Sequence, residues 1–476
     1  MLDLVIRNGQ VITPQGAGLW DVGVRGEQIA VIAAPGTVPT DGARVIDAAG
    51  QIVSPGGVEP HAHLAHGIMS HPEEPAITLG PEDDTRGMAC GGTTTHIDFA
   101  YVRPGGDIQP VIEQRASRWK GNSYVDYAFH ITLAGALPIR VFDQIGEAIQ
   151  AGHPSFKVFT TNVLPPHPKR SGNRIDFGRI HFAMEKVAKA GGIMVVHGED
   201  EDLVQFNYER FREEGRMDGT NLHLVHTKLS ELLAFRRTVA LAKASGAGVY
   251  FVHVSAREGV ETVAEARAQG LPVYGETLHQ YACFNAEYYK TPRGFSSHTY
   301  PSLKFPEDQQ ALWNGLVHDG LSTLATDEYP TSLELKLKGR TIEDVTGGNV
   351  GAEARIGIGF TEGVVKRGMS LTRFADITAT NAARIMGLYP KKGVIAPGSD
   401  ADLVLIDPTI RKTLTKDDFH VTDYSPWEGW AVSGWPVMTL LRGKVIAERG
   451  RLLGSPSDGQ WVSRRIDPGV LRRPAC

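Results

Sequence analysis

Six residues with ionisable side chains stand where apolar runs of the sequence end. They are His61 and His63 in "EPHAH", Lys157 in "SFKVF", His197 in "VVHGED", His253 in "VHVS" and Asp327 in "ATDEY". Side chains alternate in direction along a strand, so both members of a His-x-His pair project to one side and can bind one ion together. Imidazoles, a carboxylate and a lysine form a nitrogen- and oxygen-rich set that suits zinc or a similar first-row divalent ion. The set predicts a metal centre, provided that the fold brings its members together.

Each of these residues also has an ordinary structural explanation. His253 lies between two valines and could be a hydrogen-bonded core histidine, and Asp327 could cap a turn. Lys157 is harder to explain, because burying an ammonium group is costly unless the group is exposed, paired or chemically altered. Histidines at the ends of three separate strands are also difficult to attribute to packing alone. The remaining loop histidines are expected at the surface: His66, His71, His153 and His167.

The middle of the chain alternates apolar β runs with amphipathic helices. The candidate strands are "TTTHIDFAYV", "SFKVFTT", "GIMVVHGE", "GVYFVHVS", "LPVYGETL" and "STLATDEY". Between them, Val260, Val263 and Ala264 are predicted to lie on one helix face. This alternation over about 330 residues predicts a (β/α)8 barrel, in which the carboxyl ends of the strands meet at one mouth. A doubly wound open sheet is the alternative, but "PGGVEPHAH" lacks the Gly-rich phosphate turn expected there.

Short β runs separated by turn signals occupy both ends of the chain. In "LVIRNGQVIT", Asn8 and Gly9 form a candidate type I′ hairpin turn. The same pattern of short β runs and turn signals occurs after residue 393, in "GVIAPGSDADLVLIDP" and "PVMTLLRGKVIAERG". The sequence therefore predicts a small β-sandwich built from residues 1–54 and 394–476, the latter ending in a tail, around a barrel of residues 55–393.

The composition argues against several classes of protein. The chain has 476 residues, a formal net charge of -5 and an apolar fraction of 41%, which is ordinary for a globular protein. Lysine and arginine are scattered, so we expect neither nucleic acid nor membrane as a partner. Three cysteines are too few for a disulfide framework, and no apolar stretch approaches a membrane span of roughly 20 residues. These features predict a cytoplasmic protein.

Taken together, these segments resemble the amidohydrolase superfamily and, within it, the hydantoinase and dihydropyrimidinase branch. The resemblance runs nearly end to end. It is carried by "PGGVEPHAH", "GGTTTHIDFA", "SFKVF", "VVHGED", "VHVS", "ATDEYP", "TATNAARIMGLYPKKGVIAPGSDADLVLIDP" and "YSPWEG". The order His-x-His, Lys, His, His, Asp along the chain is the specific part of the pattern.

The resemblance implies a centre with two divalent ions, zinc or alternatively manganese or another metal. In the family pattern His61, His63 and Asp327 bind the more buried ion, whereas His197 and His253 bind the more exposed one. A further implication is that CO2 carboxylates Lys157 and that the resulting carbamate bridges both ions. Such a carbamate is an anion, so the lysine would no longer be an unpaired buried cation.

The implied reaction is hydrolysis of a small cyclic amide or ureide, such as a hydantoin, a dihydropyrimidine or a related imide. Hydroxide held by the ions would attack the ring carbonyl, and Asp327 would pass its proton to the departing nitrogen. Members of this branch are usually homotetramers or homodimers, so the resemblance implies the same assembly here.

The chain departs from the branch at several substrate-facing positions. The tyrosine that steadies the oxyanion, five residues beyond the lysine, is replaced by Asn162, and Tyr300 stands where a ring-contacting serine is usual. Either Tyr300 or the amide of Asn162 supplies the missing donor, or Asn162 is a turn residue and Tyr300 only fills space. Asn349 matches an asparagine whose backbone contacts the ring, and Glu328 replaces a histidine, which adds an anion beside the metal ligand.

Four other functions compete with ring opening of hydantoins or dihydropyrimidines. Dihydroorotase is disfavoured, because its pattern requires arginine where this chain has Ala65. Allantoinase and a hydrolase of linear amides, such as N-acyl amino acids, stay open. A non-enzymatic dihydropyrimidinase-like scaffold is disfavoured, because all six positions of ligand type are retained.

Substitution of Tyr300 tests the first explanation for the missing oxyanion donor. If its hydroxyl donates to the oxyanion, Tyr300→Phe should lower kcat about tenfold or more, since loss of one such donor can cost roughly 10² to 10³. Steady-state kinetics on the best ring substrate measures the effect. Unchanged turnover would remove that role from Tyr300.

Overall fold

The computed structural model describes residues 1–476, which form two sheets with helices surrounding one of them. The first five strands are β1 (Leu4–Thr13), β2 (Gly16–Arg25), β3 (Gln28–Ala33), β4 (Arg44–Asp47) and β5 (Ile52–Pro55). The next eight are β6 (Gly57–Ala62), β7 (Thr93–Val102), β8 (Asp126–Leu133), β9 (Ser155–Phe159), β10 (Ile193–His197), β11 (Gly248–Phe251), β12 (Val273–Leu278) and β13 (Thr323–Ala325). The last four are β14 (Leu403–Thr413), β15 (Ala431–Leu441), β16 (Lys444–Glu448) and β17 (Arg451–Leu452).

Sixteen α-helices lie between or after these strands. Those up to β11 are α1 (Pro81–Cys90), α2 (Ile108–Trp119), α3 (Ile139–Asp143), α4 (Ile145–Gln150), α5 (Phe177–Ala190), α6 (Glu201–Glu213), α7 (Leu222–Val225) and α8 (Lys228–Ser245). The others are α9 (Arg257–Ala268), α10 (His279–Cys283), α11 (Pro306–Val317), α12 (Leu333–Lys336), α13 (Arg355–Gly359), α14 (Leu371–Ala375), α15 (Asn381–Ile385) and α16 (Pro468–Arg472). No helix combines the length and the apolar character needed to cross a bilayer.

Helix α9 shows how local sequence sets a helix and where the prediction needs correction. Val263 is buried as expected, but Ala264 is exposed, because the face that packs inward also contains Thr262 and Ala266. Gly270 follows the helix with a φ of 79°, a conformation that glycine adopts at little cost. The helix therefore returns the chain to β12 at the predicted place.

Strands β6 to β13 form one parallel sheet in which each strand pairs with its neighbours in sequence. Backbone contacts of Glu328, just beyond β13, close the ring: its N–H donates to the His61 carbonyl at 3.0 Å and its carbonyl accepts from the His63 N–H at 2.7 Å. The predicted (β/α)8 barrel is confirmed. Strand β8, "DYAFHITL", was missing from the candidate strands.

The second sheet is built from both ends of the chain, as predicted. Strand β5 pairs in parallel with β1 on one side and antiparallel with β14 on the other, which joins the two halves. Their inward residues, including Val11, Val53 and Leu405, share one apolar core. The proposed limits at 54/55 and 393/394 stay a prediction, although all strands of this sheet lie within residues 4–55 and 403–452.

The hairpin predicted at Asn8 and Gly9 is wrong. Asn8 does take a left-handed conformation, with a φ of 63°, but the chain continues as β1 with a register shift against β2 between Ile6 and Gly9. The turn between β1 and β2 comes later, at residues 14–15. The same Asn-Gly pair thus serves as a bulge, because strand pairing on both sides of it stabilises the extended chain.

A buried charge cluster joins the barrel to the second sheet. Lys392 lies with its Nζ 2.8 Å from both Asp400 and Asp402, which precede β14, and in contact with Asp126, the first residue of β8. The lysine is fully buried, and the carboxylates raise its pKa despite the opposing effect of burial. An ammonium group compensates three buried carboxylates at this joint.

Removing that ammonium group should destabilise the protein strongly. We expect Lys392→Met to lower the unfolding free energy by about 3–5 kcal/mol, because buried carboxylates lose their partner. Thermal or urea unfolding measures the loss. Lys391→Met is the matched control: Lys391 pairs with Asp400 from a half-exposed position, so its loss should cost under about 1 kcal/mol. Equal losses in both variants would contradict the assignment.

Candidate metal centre and active site

Three of the predicted ligands meet at the carboxyl end of β6 and β13. His61 Nε2 lies 3.0 Å from Asp327 Oδ1, and His63 Nε2 lies 3.1 Å from the same oxygen. The two histidine Nε2 atoms are 3.2 Å apart. Two nitrogens and one oxygen separated in this way match ligands held about 2 Å from one ion.

The other three candidates line the same cavity. The ring centroids of His197 and His253 are 4.5 Å apart, and those of His253 and His61 are 5.6 Å apart. Lys157 lies in β9, fully buried, and its Nζ has no hydrogen-bond partner. All six residues predicted from the sequence therefore converge on one rim, as the alternation of strands and helices requires.

Phe99 of β7 links the two parts of this rim. Its ring stacks on His63 with centroids 4.4 Å apart and lies 5.1 Å from the ring of His61. The Nζ of Lys157 is 5.4 Å from the centroid of the same ring. Phe99 thus separates the ligand groups from the barrel interior with an apolar surface.

Buried glutamates hold two of the histidine rings in defined orientations. His61 Nδ1 contacts Glu276 Oε1 at 2.7 Å, so Nε2 faces His63 and Asp327. His197 Nε2 contacts Glu199 Oε2 at 2.9 Å, which leaves Nδ1 as the nitrogen free to bind an ion. Carboxylates that bind the second nitrogen of a histidine are a common feature of metal sites, because they fix the tautomer and the ring orientation.

Two of the six residues have unusual backbone conformations. His253 has a φ of 44° and Asp327 a φ of 51°, in the left-handed region. Such conformations cost free energy for residues with a side chain and concentrate at functional sites. Each lies two residues beyond the end of a barrel strand, and tertiary contacts rather than local preference hold these two ligands in place.

The charges around the cluster favour a cation between its carboxylates. Burial opposes protonation of His61, yet the negative charges of Asp327 and Glu276 raise its pKa to about 9. Burial lowers the pKa of Lys157 to about 7, against the opposing effect of the same carboxylates. The pKa of His61 rises because negative charges lie close to it, whereas the pKa of Lys157 falls because its ammonium form is desolvated.

The cluster lies at the bottom of a cavity of about 1000 Å³. Tyr300, Tyr101 and Tyr329 contribute aromatic walls. The Tyr300 hydroxyl donates to the Val345 carbonyl at 3.1 Å, whereas no hydrogen bond joins the Tyr101 hydroxyl to the protein. Tyr101 is a pocket residue that strand patterning alone did not single out.

Two of the predicted substrate contacts do not face this cavity. The side-chain nitrogen of Asn162 donates to Glu201 at 3.0 Å, and its oxygen accepts from the Arg174 N–H. The Asn349 carbonyl accepts from the Tyr329 N–H at 2.9 Å, and the cavity wall beside it is formed by Gly347 and Gly348. Of the two donors considered for the oxyanion, only Tyr300 lines the cavity.

Glu328 does not line the cavity. Its carboxyl accepts from the backbone N–H groups of Gly351 and Ala352, and burial together with Asp84 raises its pKa well above the usual range. The prediction of surface loops fails for three histidines. His66 and His71 line the cavity, and His153 is buried beneath the barrel. Loops that fold back over the strand ends account for the first two.

The orienting glutamates were missed by sequence reasoning. Glu276 lies inside the apolar strand "VYGETL", and Glu199 lies two residues after His197. A carboxylate inside a buried strand is as costly as a lysine there, so the argument applied to Lys157 would also have singled out Glu276.

Comparisons with known proteins agree with this geometry. The amidohydrolase family model matches residues 52–446. A D-hydantoinase from Geobacillus stearothermophilus is 33% identical over 468 residues, covering 97% of this chain and 96% of that protein. An allantoinase from Escherichia coli is 32% identical over 462 residues, covering 97% and 98% respectively. The crystal structure of a dihydropyrimidinase from Brevibacillus agri has a TM-score of 0.91 at 30% identity, with 98% and 99% coverage.

A closed parallel barrel with nitrogen and oxygen ligands at its carboxyl rim defines the class of barrel hydrolases that use divalent metal ions. The match of the family model to residues 52–446 narrows this class of hydrolases to one family. The protein belongs to the amidohydrolase family.

Glu276 should be needed for tight metal binding although it is not itself a predicted ligand. We expect Glu276→Gln to weaken divalent-ion affinity by about 10–100-fold, because His61 loses the charge that orients its ring. Competition with a chromogenic chelator measures the affinity. Glu362→Gln is the control, since Glu362 is also buried but contacts Lys366 and Arg367. An unchanged affinity in Glu276→Gln would contradict this role.

Proposed function

We propose that the protein opens the ring of a cyclic amide or ureide, such as a hydantoin, a dihydropyrimidine or a related imide, by metal-dependent hydrolysis. The observation that carries the proposal is the meeting of His61, His63 and Asp327 within 3.2 Å of one another beside the buried, unpartnered amine of Lys157. The relatives named hydantoinase, dihydropyrimidinase and allantoinase support the substrate class.

The residues at the rim fit two divalent ions. His61, His63 and Asp327 would hold one ion, and His197 and His253 would hold the other. Lys157 is suited to bridge them as a carbamate formed from CO2, because an amine without a partner in a buried strand is otherwise an uncompensated group. We propose zinc, since the donor set is imidazole and carboxylate, with manganese as the alternative.

The ions would supply a polarised carbonyl and a water with a pKa lowered to about 7. The chain's own contribution is proton transfer and positioning. Oδ1 of Asp327 contacts the Nε2 atoms of His61 and His63, whereas no hydrogen bond joins its Oδ2 to the protein. We assign to Oδ2 the transfer of a proton from water to the departing ring nitrogen. The carbamoyl or amido acid is the product.

Aromatic side chains at the cavity walls would orient the substrate ring. Among the residues named from the sequence, Tyr300 is the proposed donor to the oxyanion. Its hydroxyl would have to break its hydrogen bond to the Val345 carbonyl and donate to the substrate instead. Asn162 and Asn349 remain predicted contacts only through movement of their loops or through backbone groups, because their present partners are Glu201 and Tyr329.

Assembly and compartment extend this proposal. We propose a homotetramer or homodimer, on the resemblance to hydantoinases alone. Three free cysteines, at positions 90, 283 and 476, favour a reducing compartment such as the cytoplasm.

Metal removal and a substrate panel test the proposal together. Chelator treatment should abolish turnover of hydantoin, dihydrouracil or allantoin, and Zn²⁺ or Mn²⁺ should restore it.

Asp327→Asn should lower kcat by roughly 10² to 10⁴, because proton transfer is lost. Asp407→Asn, at an irregularity of β14 in the second sheet, is the control. Native mass spectrometry of the intact protein should find the added mass of one CO2, which should be absent from Lys157→Arg.

The panel also separates the competing functions. Activity on N-acyl amino acids alone would replace ring opening by linear amide hydrolysis. Less than about half an ion per chain, with no activity gained from added metal, would favour a non-enzymatic scaffold. If allantoin is the best substrate, the assignment would narrow to allantoinase, the activity named for the Escherichia coli relative.

A further inference from the structure

The cavity above the metal ligands is lined by far more cations than anions. Its acidic residue is Asp327, at the bottom. The cations are Arg103, Arg115, Arg118, Lys157, Lys169 and Arg170. Excluding Lys157, three of them are neutralised by carboxylates: Arg115 by Asp98, Arg118 by Glu82 and Lys169 by Glu73. Arg103 and Arg170 have no carboxylate partner.

Arg170 is fixed by the backbone and keeps part of its guanidinium free. Its Nε donates to the Met69 carbonyl at 2.9 Å, and its Nη1 donates to the Pro165 carbonyl at 2.5 Å. No hydrogen bond joins Nη2 to the protein. Burial lowers the pKa of Arg170, so this cation is partly desolvated, and no carboxylate forms an ion pair with it. A guanidinium in that state binds an anion more strongly than a fully hydrated one does.

Arg103 is held beside the same loop. Its Nη1 donates to the Gly172 carbonyl at 3.2 Å, and its Nη2 donates to Asn173 Oδ1 at 2.9 Å. Its guanidinium also lies 5.3 Å from the ring centroid of Tyr101. Arg170 belongs to residues 165–173 and Arg103 contacts that segment, so both charges lie at one wall of the cavity.

We propose that the substrate ring carries an anionic oxygen group, of which a carboxylate is the simplest, and that Arg170, with Arg103 beside it, recognises that group. The inference rests on the proposed ring-opening function and names its substrate class. Guanidinium groups match carboxylate and phosphate oxygens in geometry and form charge-assisted hydrogen bonds with them. The ring then lies toward Asp327 while its charged substituent points to the residue 165–173 wall.

Three ring substrates with the same chain length test this inference. They are hydantoins that carry 2-carboxyethyl, 2-phosphonoethyl or 2-carbamoylethyl at carbon 5. In the wild-type protein kcat/KM for an anionic compound should exceed that for the neutral carbamoyl compound by about tenfold or more, mostly through KM. The carboxylate and phosphonate arms decide which oxyanion is preferred.

Substitutions at the two arginines separate specific recognition from general charge. Arg170→Gln should lower the anionic-to-neutral ratio of kcat/KM about tenfold, and Arg170→Lys should restore part of it. Arg118→Gln removes one positive charge from the same cavity, but Arg118 is already paired with Glu82, so the ratio should stay within about twofold. Melting temperatures verify that each variant is folded. If Arg170→Gln is unstable, Arg103→Gln provides the second measurement.

The outcomes distinguish this inference from the function on which it rests. A wild-type preference for the carbamoyl compound, or equal loss of the ratio in Arg170→Gln and Arg118→Gln, would overturn anion recognition while ring opening stands. Calorimetric binding of the carboxyethyl compound that depends on Arg170, without any turnover by the metal-loaded protein, would support anion recognition and overturn ring opening. Absence of both binding and turnover would overturn both.

Discussion

Burial of the Lys157 amine is the constraint on which the rest of the site depends. The residue lies inside a barrel strand between the rings of Phe99 and Phe159, with no hydrogen-bond partner for Nζ. Burying such an amine costs free energy, and proteins tolerate that cost only where neighbouring groups compensate it. The surroundings here are four imidazoles and a carboxylate on the neighbouring strand ends, so the lysine and the metal ligands explain one another.

Buried carboxylates outside the ligand set turn this convergence into a defined geometry. Glu276 fixes the ring of His61 and also accepts from the His253 N–H at 3.0 Å, so one side chain positions groups on two strands. Glu59 accepts from the His61 N–H at 3.0 Å and pairs with the fully buried Arg355 at 3.1 Å. The closure of the barrel and the orientation of its ligands therefore depend on the same network of charges.

Some features of the fold were predictable because local pattern and tertiary structure agree. The run "TTTHIDFAYV" is β7 from its first residue to its last, and His61 and His63 do lie on one side of the chain. Prediction failed where long-range contacts override local preference. Asn8 and Gly9 form a bulge because β1 pairs on both sides of them, and Asn162 is held by Glu201 of α6, 39 positions away.

The identity and chain order of the six ligand-type residues followed from the sequence alone, because residue type fixes donor chemistry and strand periodicity fixes which side a residue faces. The selection of cavity residues was decided only by the tertiary structure. His66 and Arg170 lie at the cavity because loops fold over the strand ends, and Tyr101 reaches it from the end of β7. Loop paths depend on contacts between residues distant in sequence, and no local periodicity records those contacts.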